Sequence, residues 1–293
     1  ASTRRYGDTE QRRANRAEIV DHLNQLALET IGLAFHELCL TDISPTHNDF
    51  LDSLQFVTVP AGEFIMGTNK TKVKQAYEYE IPEHKIYLST YQISKAPITN
   101  QLYFAFVTKS KHRKPKHWHD GRIPIGKHNH PVVNVSWEDA NKFCMWLSDK
   151  LQKYCRLPTE AEWEKAARGT DGRIYPWGND WDKSKLNCSE NGPNDTTVVG
   201  FYFQEGDSPY GAVDLCGNVW EWCIDWFRTD EYKGRQGIVT RNPSGPAEGQ
   251  HRSVRGSMFS HPKYLSRSTN RFSMLPTVSH IALGFRCVIE SEQ

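Results

Sequence analysis

The sequence predicts a loop-rich domain of short strands and short, well-capped helices, with a helical segment in front of it. Three observations carry this. Nine Trp, twelve Tyr and thirteen Phe in 293 residues supply large flat side chains, which cover much area where regular helix and strand are scarce. Helix starts with recognisable caps and strand-like apolar runs alternate with Gly- and Pro-marked turns from about Leu51 onward. Before Leu51 residues 9–40 read as helix, which sets the expected division: a helical segment over residues 1–50 and a main domain over 51–293.

In the first segment, Thr9 is placed to cap a helix running to about residue 40. Ile19, Val20, Leu23, Leu26, Ala27, Ile31, Leu33, Ala34 and Leu38 follow at roughly helical spacing, and Gly32 can divide the run in two. Arg12, Arg13 and Arg16 are expected on a solvated face. The segment is a candidate for docking a partner or an upstream domain.

In the main domain, Phe56 to Gly67 reads as two short strands around a Pro60-Ala61-Gly62 turn, followed by a charged surface loop from Lys70 to Glu80. Glu83 to Leu88 and Tyr91 to Ile93 are further strand. Thr99 offers an N-cap ahead of Tyr103, Phe104 and Phe106. Residues 109–130 contain five His, but at no compact zinc spacing, and are expected to be a solvated loop. Ser136 caps a helix whose buried face is Phe143, Trp146, Leu147 and Leu151. Thr159 caps the next, and Gly169 stops it. Its acids Glu160, Glu162 and Glu164 read as complements of the helix dipole rather than as an acid/base cluster.

Residues 252–288 behave differently. Arg255-Gly256-Ser257, Arg267 to Arg271, Pro276 and Gly284-Phe285-Arg286 look like fixed framework around runs with no periodicity. Ser257 or Ser260 beside His261 suggests a nucleophile and base, but neighbours in sequence seldom align and no orienting acid is evident. Gly67 to Thr71 is not a phosphate loop, because Asn69 stands where Gly must precede the Lys.

The balance of 36 basic and 35 acidic residues, formally +1, implies no nucleic-acid partner. No apolar run approaches a membrane span, and Ala1 to Arg5 is not followed by a signal-peptide core. Seven Cys without a CxxC pair (39, 144, 155, 188, 216, 223, 287) fit reduced, buried thiols and a cytoplasmic location.

Six motifs occur in order between about Phe56 and Val288: Gly62 to Gly67, His130 to Trp137, Arg156 to Gly169, Tyr175 to Gly178, Gly217 to Trp222 and Gly284 to Arg286. In this order they resemble the formylglycine-generating enzyme (sulfatase-modifying factor) family. The resemblance implies an irregular α+β fold of the C-type-lectin-like type. It also implies a structural calcium site of Asp214, the carbonyls of Gly217 and Val219, and Glu221, an oxygen set that suits a hard cation. A second such site would fall near Asn187 and residues 191–195. Family catalysts oxidise a cysteine with two active-site thiols that bind copper, a soft ion for which sulfur is a chemical requirement. Here those positions are Ser260 and Leu265, and no Cys lies between Cys223 and Cys287, so neither copper nor catalysis is expected. Cys287, expected in a core strand, is no substitute. The family's Asn-x-Pro-Asp-Ser run is replaced by Met274 to Val278. The related iron-dependent sulfoxide synthases need a His set that His22 and His36 do not supply.

The tail also looks like the variable region of a diversity-generating retroelement protein, a class that displays a changeable binding surface on this fold. The framework agrees, except that one Gly is missing, Met258 stands where Trp is usual, and Lys263 and Met274 need a different starting codon. The resemblance implies a ligand surface with no catalytic residue, for an unspecified protein or small-molecule ligand. Its first block is Met258, Phe259, Ser260, His261, Lys263, Tyr264 and Leu265. Phe272, Ser273, Met274 and Leu275 form the second, and Thr277, Val278, Ser279, His280 and Ile281 the third. The alternatives are a non-diversified, catalytically dead interaction or sensor domain of a larger signalling protein and, third, an active copper-dependent cysteine oxidase.

Overall fold

Because the apolar runs are short, the strands they form are short, and the domain distributes them over three small sheets. The computed structural model describes residues 51 and 53–290, all within the unit Phe50–Gln293; the helical segment expected over 9–40 lies outside the described residues. Strands β1 (Phe56–Val59) and β2 (Gly62–Met66) precede β3 (His84–Leu88) and β4 (Tyr91–Ser94). Helices α1 (Asn100–Ser110) and α2 (Trp137–Leu151) follow, then β5 (Cys155–Arg156) and α3 (Glu160–Arg168). The rest is strand: β6 (Trp220–Trp226), β7 (Val239–Arg241), β8 (Arg252–Arg255), β9 (Arg271–Met274), β10 (Leu283–Phe285) and β11 (Val288–Glu290).

The sheets are ordered β1-β4-β11-β5, β10-β6-β8-β9 and β2-β3-β7. The Pro60 to Gly62 turn therefore does not close a hairpin: β1 and β2 part into different sheets. The last strands enter two of the three sheets, β10 pairing parallel with β6 and β11 antiparallel with β4 and β5. The C-terminal stretch is thus built into the centre of the fold.

Local signals place the helices. The Thr99 hydroxyl accepts from the Leu102 N–H, and Ser136 with Asp139, and Thr159 with Glu162, each close a reciprocal capping box. Gly169 ends α3 with φ 68 and returns its N–H to the Lys165 carbonyl. The main core packs α1 and α2 on the sheets through aromatic rings: Tyr103 stacks on Phe143 at 5.9 Å, and Phe143 meets Phe285 edge-on at 5.3 Å.

Four expectations are corrected. The Lys70 to Glu80 loop is not wholly at the surface, since Glu80 is completely buried. Glu160 and Glu164 are buried too and hold arginines of the tail, so helix-dipole complementarity does not account for them. The His-rich stretch is not wholly solvated: His112 turns inward and lies 2.8 Å from Asp139, which also takes Arg113. Cys287 is fully buried as expected, though it sits on the link between β10 and β11 rather than in a strand.

Candidate functional site: a tail-built face on buried arginine anchors

The tail is held by four arginines, each matched to a buried carboxylate. Arg255 donates to Glu160 at 3.2 Å, Glu164 at 2.5 Å and the Ser268 carbonyl at 2.7 Å. Arg271 grips Glu160 with two bonds of 2.7 and 2.6 Å. Arg267 forks onto Glu80 at 2.9 and 2.8 Å, and Thr269 adds its hydroxyl at 2.8 Å. Arg286 does the same to Glu221 at 2.5 and 2.7 Å, with the Trp163 indole N–H donating to that carboxylate at 2.8 Å. Charges can be removed from water only when paired and hydrogen-bonded in this way. Burial alone would push the Glu160 carboxyl up, but Arg271 and Arg255 hold it below its ordinary value. Gly256, at φ 102, lies so close to the Trp163 ring that a Cβ would stand 3.1 Å from it. The framework read from the sequence is therefore a set of internal anchors, with Ser266 to Arg271 entirely buried.

Between the anchors the chain comes outward. Met258, His261, Leu265, Phe272, Met274 and His280 border one cavity of about 320 Å³. Tyr77, Tyr79, Trp220 and Asn270 complete it; the sequence reading missed all four. The Tyr77 and Tyr79 rings stack at 5.1 Å, Phe272 lies over Trp220 at 5.9 Å, and His261 meets Trp220 edge-on at 5.4 Å. No Asp, Glu, Lys or Arg side chain lines the cavity; burial and then His280 hold the His261 imidazole below its ordinary pKa, and burial pushes the Tyr79 phenol up to about 12. The cavity can take an apolar or aromatic group, and its two methionines can adapt to shape.

The other expected ligand residues divide. Ser260, Leu275, Val278 and Ile281 are exposed, and Ser273 is half-buried in β9. Lys263 and Tyr264 border a separate hollow beside Tyr175 and Arg267. Thr277 and Ser279 border another beside Arg113, Lys114 and Asp139. Phe259 is a correction: it is only 7% exposed, so it packs inward and offers no contact surface. Ser257 and His261 do meet, Oγ to Nδ1 at 3.3 Å, against the expectation that such neighbours do not align. Ser257 is nonetheless fully buried, and among the described residues no carboxylate bonds the His261 ring.

The loop of the expected calcium site lies under the tail. The Gly217 N–H donates to Gly256 at 2.8 Å, and the Trp220 N–H to Ala282 at 2.8 Å. Glu221 departs from its expected role, because both of its oxygens are engaged by Arg286 and one also by Trp163. Asp214, the other carboxylate of the expected set, is bonded by the Gly200 N–H at 2.8 Å, and burial pushes its pKa up to about 6. The carbonyls of Gly217 and Val219 lie on the same loop. In the second expected region Asp195 pairs with Lys127 at 2.7 Å, while the buried Asn187 Oδ1 has no partner.

Three small sheets, capped helices and a C-terminal stretch built into the centre define a C-type-lectin-like domain of the formylglycine-generating-enzyme type. The chain belongs to the family of the sulfatase-modifying factor enzyme 1-like domain, whose model matches residues 44–291. The formylglycine-generating enzyme of Streptomyces coelicolor is 32% identical, covering 80% of this chain and 89% of its own length. The serine/threonine-protein kinase pkn1 of Chlamydia pneumoniae is also 32% identical over 80% of this chain, and the chain spans 37% of the kinase's length. Among solved structures, PvdO from Pseudomonas aeruginosa shares the fold with a TM-score of 0.71 at 24% identity, over 80% of this chain and 94% of that one. Treponema denticola variable protein 1 follows with a TM-score of 0.68 at 26% identity, over 81% and 95%.

Proposed function

We propose that this chain is a non-catalytic binding protein that displays a variable C-terminal surface on a C-type-lectin-like fold, as a diversity-generating retroelement variable protein does. One observation carries the reading: every framework arginine of the tail is buried on a carboxylate, while the residues between the framework blocks, Phe259, Ser266, Ala282 and Leu283 apart, reach the surface or an aromatic-lined cavity. Such an arrangement separates what holds the fold from what touches a ligand, so contact residues can change without loss of the scaffold. The likeness to the Treponema variable protein supports it. Ser260, exposed, and Leu265, in the cavity wall, provide no thiol for copper. The test is genomic: a reverse-transcriptase gene and an adenine-rich near-copy of the 3′ end should lie beside this gene, and a locus without them overturns the diversified reading.

The chlamydial kinases favour a second reading, in which the domain is a fixed interaction or sensor module of a larger signalling protein. The same 3′ end sequenced across strains separates the two, since a fixed module shows no excess of changes at residues 258–281. An assay of cysteine oxidation in a sulfatase-type peptide with copper should show no turnover above buffer. Turnover would return the chain to the enzymes.

A further inference from the structure

Three cysteines that the proposed function leaves unused meet in the core. Cys144 lies on the buried face of α2, Cys155 in β5 and Cys287 on the link between β10 and β11, and none is more than 3% exposed. The Cys144 and Cys287 sulfurs are 3.5 Å apart, and all three sulfurs lie within 4.8 Å of one another. Among the described residues no other group of three or more potential ligands comes so close together. The placement is fixed by the fold. Cys155 is in register with Ile289 of β11, and the Cys287 carbonyl accepts the Ser94 N–H at 2.8 Å. The Ser148 hydroxyl accepts from the Cys155 N–H at 2.8 Å and donates to the Cys144 carbonyl at 3.0 Å, tying α2 to β5.

We propose that Cys144, Cys155 and Cys287 form a three-sulfur site for a soft monovalent cation, Cu(I) in chemical class. Thiolates select soft ions. With a metal–sulfur bond of about 2.3 Å, the corners of a trigonal plane are about 4 Å apart, a spacing this cluster brackets. Zinc in closed sites takes a fourth ligand, and no further Cys, His, Asp or Glu atom joins the group. The surroundings belong to the main apolar cluster, with Leu147, Leu157 and Ile289, so the site is dry. Thiolates are the ligands, so each S–H proton the three cysteines still hold leaves to solvent as Cu(I) enters, and uptake weakens as pH falls. The site uses none of the tail positions Ser260 and Leu265, so it holds an ion rather than exposing one to substrate.

The experiment uses the full chain, reduced and metal-free, titrated with Cu(I) delivered as its bicinchoninate complex. One equivalent should be withdrawn from the dye by the parent and by Cys223→Ala, a control at another buried thiol. That uptake should be lost in Cys155→Ala and in Cys144→Ala. Because a core substitution can unfold the chain, copper-edge X-ray absorption on the parent is the second measurement, with three sulfur neighbours and no nitrogen or oxygen expected. Equal uptake by parent and Cys155→Ala, a two-sulfur or mixed copper shell, or equally tight zinc at the same thiols would overturn the assignment.

Discussion

Arg267 and Glu80 show what a single residue does here. Both are buried, and the guanidinium fork leaves neither charge uncompensated. Truncation of one partner strands the other, so Arg267→Met is expected to cost about 3–5 kcal/mol in urea unfolding. Arg267→Met with Glu80→Gln should recover part of the loss, and a double-variant loss equal to the sum of the two single losses would show the pair to be uncoupled. The tail fillers divide the same way. Phe259→Ala, at an inward-packed ring, should lose about 3–5 kcal/mol. Ile281→Ser, at a side chain 61% exposed, should stay within about 0.5 kcal/mol. A run of filler does not reveal which of its members turns inward, because direction depends on the backbone path between two anchors. That is why Phe259 was legible as filler and not as core.

At the scale of elements, β6 and α3 carry the electrostatics. Asp225, near the end of β6, accepts the Glu160 N–H at 2.8 Å at the start of α3. Burial and then the neighbouring Glu160 charge push its pKa up to about 7. An unfolded Asp titrates near 3.9, so between about pH 4 and pH 7 the folded chain holds the extra proton and stability falls as pH rises. Asp225→Asn should remove that fall: the stability gap between variant and parent should open from pH 4 to pH 7 and then stay level. A gap constant in pH would refute the assignment. The loop before β6 gives a second measurement. If Asp214 holds calcium, melting temperature should rise with calcium over EDTA at neutral pH, lose that rise below about pH 6 as the carboxyl is protonated, and show none of it in Asp214→Asn. The caps of α1, α2 and α3 were readable beforehand because a capping hydroxyl and its N–H lie three residues apart. The partners of the tail arginines were not. Glu80 and Arg267 are 187 residues apart, and Glu221 and Arg286 are 65 apart, with no periodicity to connect them.

For the whole molecule, scaffold and surface are separable. Simultaneous replacement of Ser260, Lys263, Leu275, Val278, Ser279 and Ile281, all exposed, should leave the melting temperature within a few degrees, since each contributes about 0.5 kcal/mol or less. The same number of changes among Arg255, Ser266 to Arg271 and Arg286 should abolish folding. A large loss from the first set would mean that the tail face is structural.

The sequence by itself determined the short strands, the capped helices, the family and the alternation of framework and filler in the tail, because those signals are local or collinear. Only the tertiary structure decided that the framework arginines end on Glu80, Glu160, Glu164 and Glu221, and that Glu221 is therefore an internal anchor. It also decided that Tyr77, Tyr79 and Trp220 complete the cavity, and that Cys144, Cys155 and Cys287 converge. The reason is physical. Burying a charge requires an opposite charge wherever the fold can bring one, and the chain brings it from distant segments that share no spacing rule.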